Sequence, residues 1–164
     1  MNPLLEEFKK IREEFIQVVD KFPKEKRERL LFDQWNLKQV LIHMARWDNC
    51  LSDNVEFLLK GKEDDFNASS QELCKDWDWE KTYSEFLKGG ERLIKTYEAL
   101  AENHWTKKFW KDKNSTPEKF LKIVTKHYSE EHLPMVRKIL ENKIKYKFTL
   151  TENKKEVLSQ YFFL

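Results

Sequence analysis

Four stretches of the chain space their apolar residues by threes and fours, the period of a helix with one buried face. The first carries Leu4, Leu5, Phe8, Ile11, Phe15, Val18, Val19 and Phe22. The second carries Leu37, Val40, Leu41, Met44, Leu51, Val55 and Leu58, and the third Tyr83, Phe86, Leu87, Ile94, Tyr97 and Ala101. Phe120, Leu121, Val124, Tyr128, Met135 and Ile139 form the fourth. With 3 Gly and 4 Pro in 164 residues, turn chemistry for a strand-rich fold is scarce. Four striped helices joined by polar loops predict an all-α four-helix bundle.

Local chemistry sets the helix ends. Asn2 can cap the first helix with Pro3 at its first position, where no amide donor is needed, and Pro23 ends it. Asn36 and Gln39 have the spacing of a reciprocal capping box for the second, which is expected to stop at Gly61. The third begins near Asp78 or Trp79 and contains Gly89 and Gly90, each costing about 1 kcal/mol relative to Ala. Close approach of another backbone, or a kink near a pocket, would account for them. For the fourth, Thr116 with Pro117 reads as cap and first position, and Ser115 with Glu118 is the alternative box. The polar run "KEDDFNASSQELCKDWD" between the second and third helices is long enough to cross the end of a bundle. Residues 1–143 therefore read as one bundle. Residues 144–164 read as an extended or helical tail, in which "KYKFTLTE" alternates and the end is apolar. Such a tail packs on its own bundle or on a partner subunit, and Phe162–Phe163 suits a homodimer contact.

Several classes of function find no support. The 31 basic and 29 acidic residues are interspersed, and "PKEKRER" is broken by two Glu, so no nucleic-acid surface is expected. No apolar run approaches the ~18 residues of a membrane helix. The opening "MNPLLEEFKK" lacks the apolar core of a signal peptide. Two cysteines, Cys50 and Cys74, suit a reduced, cytoplasmic setting. Gly-rich phosphate loops, CxxC, HExxH and serine elbows are missing from the sequence.

The chemistry concentrates in "TKHYSEEHLPMV", residues 125–136. On an α-helix, residues four apart share a face, so His127 pairs with Glu131 and Tyr128 with His132. The two histidines are five apart and are expected on opposite flanks of the apolar stripe, which rules out a His–His clamp on an α-helix. His127 with Glu131 is a sound ligand pair for a divalent ion, and His43 or Asp48 of the second helix could add a third donor. The competing reading is plainer: boundary histidines hydrogen-bonded at the core edge, with Glu131 paired to a neighbouring cation. Pro134 withholds the amide that the carbonyl of Glu130 would accept, which predicts a kink just beyond His132. Trp35, Trp47, Trp105 and Trp110 read as core or rim, and Cys50, two turns from His43, as a structural thiol.

"WNLKQVLIHMARWDNCLSDNVEFLLKG", "DDFN" with "WDWEKTYSEF", and "HYSEEHLPMVRKIL" together resemble the DinB/YfiT-like superfamily. The pairing of "HMARWDN" with "HYSEEHLPMV" is most similar to its ClbS/DfsB-like branch. The resemblance implies an up-down-down-up bundle with a long crossover between helices 2 and 3. It also implies a divalent metal (zinc, nickel or iron) held by one histidine of helix 2 and two of helix 4 at i, i+4. His43 matches the first position. With His132 as the last ligand, the register preferred because "HLPMVRKIL" continues as the family helix does, Tyr128 stands where the family has its other histidine. With His127 as the first, Glu131 does. The resemblance further implies a small-molecule-modifying or detoxifying enzyme of the resistance type. His43, Asp48, Tyr128, Glu131 and His132 would line a pocket between helices 2 and 4, and His43, His132 or Asp48 could move a proton. The alternative is a non-catalytic binding or self-association bundle that has lost the metal.

Overall fold

The computed structural model describes residues 2–30, 35–60, 76–108 and 115–141. Four helical rods form, with no strand among the described residues. Helix α1 spans Pro3–Asp20, α2 Leu37–Leu59 and α3 Trp79–Glu98. The fourth rod has three parts: α4, Pro117–Lys126; a π-helical turn, His127–His132; and α5, Leu133–Leu140. The crossover residues 61–75, Gly61, Cys74, Trp110 and the proposed tail 144–164 lie outside the described residues.

The caps form as the residue types dictate. Asn2 Oδ1 accepts from the Leu4 amide at 3.0 Å. The Asn36 box closes both ways at 2.8 Å, Gln39 amide to Asn36 Oδ1 and Asn36 amide to Gln39 Oε1. Asp78 caps α3 through the Lys81 amide, and Thr116 rather than Ser115 caps α4 through the Lys119 amide. Helix α3 stops at Glu98, so Ala101, assigned to its stripe from periodicity, falls outside it at the start of a 3₁₀ turn. Boundaries are where periodicity is weakest, because the apolar pattern runs on into the following turn.

The stripes face inward and build one core. Phe8, Phe15, Leu41, Met44, Leu51, Phe86, Leu93, Leu121 and Val136 are all fully buried there. Helix α2 packs most extensively along α3, and α1 along α4 and α5. The glycine pair has a physical cause. A Cβ on Gly89 would stand 3.2 Å from the carbonyl oxygen of Ala45, so α3 and α2 approach backbone to backbone there. A Cβ on Gly90 would fall 1.8 Å from Arg12 Nε. One glycine admits a helix and the other a guanidinium. No helix among the described residues is long and apolar enough to cross a membrane.

Candidate metal centre

The fourth rod leaves α geometry at His127. The amide of Leu133 donates to the carbonyl of Tyr128, an i→i+5 bond, and the π turn runs to His132, two residues before Pro134. Proline has no amide to offer the carbonyl of Glu130, so regular i→i+4 bonding cannot continue across this point. The disturbance expected beyond His132 therefore falls on its N-terminal side, as a π turn.

That turn corrects the expectation that His127 and His132 diverge. A π turn brings residues five apart into line, where an α-helix would align residues four apart. The two rings stand edge to face with centroids 4.3 Å apart, and their Nε2 atoms are 3.0 Å apart. His43, in the second turn of α2, presents its own Nε2 2.8 Å from that of His127. One ring nitrogen from each of the three histidines lies within 4.8 Å of the others. Trp35 stands edge-on to His43 at 5.0 Å, and Trp47 lies 5.8 Å from His127.

Burial lowers the pKa of two of the three rings, His43 and His132. Desolvation, reinforced by His127 and Arg46, pushes His43 down to about 3. Desolvation also holds His132 well below the ordinary imidazole value, with His127 and His43 adding to the effect. A neutral imidazole offers one lone pair and one N–H, and the tautomers decide which Nε2 donates across the 2.8 and 3.0 Å contacts. The Nε2 of His127 is shared by two neighbours. Nδ1 of His132, buried, has no hydrogen-bond partner among the described residues.

The other sequence candidates divide. Glu131 stays beside His127, but its Oε2 meets Nδ1 at 3.2 Å, on the ring's outer edge, away from the converging Nε2 atoms. Tyr128 and Asp48 join a second cluster. Tyr128 turns into the core, where its hydroxyl donates to Asp48 Oδ2 at 2.8 Å. Arg12 Nε lies 3.9 Å from the same oxygen, and Arg12 Nη2 donates to the carbonyls of Phe86 and Leu87 at 3.0 and 3.1 Å. Asp48 is 0% exposed, and burial pushes its carboxyl up to about 7 against the pull of Arg12 and Tyr128.

Sequence reading missed Arg12. The signal was present: Arg12 falls between Phe8 and Phe15 on the α1 stripe, a charge in the middle of an apolar face. Comparison of the chain with family models, curated proteins and solved structures finds no match.

Proposed function

We propose that the chain is a DinB-like bundle that binds one divalent metal ion through His43, His127 and His132 and uses it to modify or detoxify a small molecule. The observation that carries the reading is the convergence of three Nε2 atoms from two rods on one point. The donor set fits. Imidazole nitrogens bind zinc at 2.0–2.1 Å, so two of them on a tetrahedral ion stand about 3.4 Å apart. Separations of 2.8 and 3.0 Å require the rings to spread by only a few tenths of an ångström. Imidazole suits zinc, nickel and iron alike, and three protein donors leave a position for substrate.

A bound divalent ion would supply Lewis acidity toward a polar group of the substrate. The protein's own residues do the rest. Trp35 and Trp47 wall the His43 and His127 rings, which limits water around them. The π turn fixes the relative placement of His127 and His132, and the α2 backbone fixes His43.

The test is elemental analysis of untagged protein. One equivalent of zinc, nickel or iron is expected, abolished by His43→Ala, His127→Ala and His132→Ala alike. Ligand linkage adds a second readout: at a free metal concentration a hundred times Kd, stability should rise by about 2.7 kcal/mol. Failure to bind any divalent ion would overturn the reading in favour of a non-catalytic bundle. Metal-loaded and metal-stripped protein, compared across hydrolytic and thiol-dependent reactions, then tests catalysis itself.

A further inference from the structure

We infer that Glu131 is the positioning residue of the three-histidine site, accepting a hydrogen bond from Nδ1–H of His127 so that Nε2 keeps its lone pair for the metal. The inference rests on the metal-binding reading above and adds a residue to it. A neutral imidazole carries one proton, and whichever nitrogen holds it cannot bind an ion. The carboxylate of Glu131 accepts only, so its 3.2 Å contact fixes the proton on Nδ1. His127 is the ring that most needs this. Its Nε2 is the one within 3.0 Å of both other Nε2 atoms, whereas its Nδ1 faces the carboxylate. A carboxylate on the outer nitrogen of a ligating histidine orients the ring and raises its basicity. The π turn makes the arrangement compatible with the cluster: it aligns His132 with the inner edge of His127 while Glu131, four residues on, stays within reach of the outer edge.

Glu131 is also well placed to be removed without harm. Its side chain is 40% exposed, so Glu131→Ala should fold like the parent chain. The experiment measures zinc affinity by competition with a chromophoric chelator for the wild type, Glu131→Ala, Glu131→Gln and Glu130→Ala. Glu130 is an exposed neighbour of the same charge and serves as the control for long-range attraction of the cation. Glu131→Ala should weaken affinity 10–100-fold. Glu131→Gln, whose amide oxygen can still accept from Nδ1, should fall between it and the wild type, and Glu130→Ala should match the wild type. X-ray absorption of the loaded Glu131→Ala variant should still report three imidazole donors. Two-bond ¹H–¹⁵N spectra of the metal-free wild type should show His127 protonated at Nδ1, and Glu131→Ala should populate the Nε2-protonated form.

Equal affinity in Glu131→Ala and the wild type would overturn the inference while leaving the metal site standing. So would equal losses in Glu131→Ala and Glu130→Ala, which would reduce the effect to bulk charge. Loss of an oxygen donor from the metal in Glu131→Ala would make Glu131 a ligand and overturn its positioning role. A wild type that binds no metal overturns this inference together with the function it rests on.

Discussion

Two adjacent residues of the fourth rod, His127 and Tyr128, serve two polar clusters of opposite character. His127 joins two rings of its own kind, with Nε2 separations of 2.8 and 3.0 Å. Tyr128 joins a donor, an acceptor and a cation that complement one another inside the core. The Arg12–Asp48–Tyr128 cluster pairs unlike groups and draws on the Phe86 and Leu87 carbonyls, while Arg12 Nε and Asp48 Oδ1 have no hydrogen-bond partner among the described residues. The histidine cluster gathers three like rings, and under the proposed reading a bound cation would draw on all three at once. Pairing of unlike groups suits a cluster that holds the fold together; three like donors gathered at one place suit one that takes an added partner.

Separating the two roles starts with the largest effect. Asp48→Ala leaves the Arg12 guanidinium buried without its counter-charge, and breaking a buried pair in this way costs about 3–5 kcal/mol. Urea denaturation should register that loss, while any variant stable enough to purify should still bind metal through its histidines. A loss of metal binding in folded Asp48→Ala would mean that the clusters are one site.

The two clusters should also respond to pH in opposite directions. His43 is depressed in the fold to about 3 from 6.5, so the folded state binds fewer protons than the unfolded one. Its contribution is present above pH 6.5 and is lost as pH falls toward 3. Asp48 is raised from 3.8 to about 7, so its contribution is present below 3.8 and is lost as pH rises through 7. Metal-free stability, followed by urea denaturation across pH 4–8, should therefore show less acid-side loss in His43→Gln. Asp48→Asn should lack the decline toward pH 7. Identical profiles in the wild type and both variants would mean that neither group carries the pH dependence.

The glycine opposite Arg12 offers a smaller and more local test. Gly90→Ala places a methyl group where the guanidinium lies, and overpacking of this kind costs about 1–3 kcal/mol. In an Arg12→Met background, which has already lost the buried pair, Gly90→Ala should cost less than it does in the wild type, since the obstructing group is gone. An equal cost in both backgrounds would place it in the backbone of α3.

Much of this was legible from residue patterns, and the remainder was hidden for identifiable reasons. The Asn36–Gln39 box and the Thr116–Pro117 start depend on local chemistry over three or four residues, so they could be read directly. His43 stood out because it flanks an apolar stripe. The His127–His132 partnership did not, because spacing rules assume 3.6 residues per turn, and one π turn changes which residues align. Pro134 pointed to the right place by withdrawing a donor, but a missing donor does not say how the backbone will respond. Arg12 was missed, although its place between Phe8 and Phe15, with a glycine pair elsewhere to admit a large group, was readable in combination.

Tyr128 is where the two regions meet, and it gives the most delicate test. In an α-helical register it would sit one turn from His132, as its spacing of four predicts. Tyr128 instead keeps its place on the stripe four residues after Val124 and bonds Asp48 from the start of the π turn, so its hydroxyl bond anchors the backbone on which the histidine alignment depends. Tyr128→Phe keeps the edge-on ring contacts with Phe8 and Phe15 and removes only the donor. Stability should fall by about 1–1.5 kcal/mol. The carboxyl of Asp48 should titrate higher, because the hydroxyl helps hold its pKa down. If the anchor also serves the site, metal affinity should fall along with stability, and backbone amide exchange across His127–His132 should accelerate in the metal-free protein. Faster exchange with unchanged affinity would instead show that the cation itself selects the π register, and that the core cluster serves the fold alone.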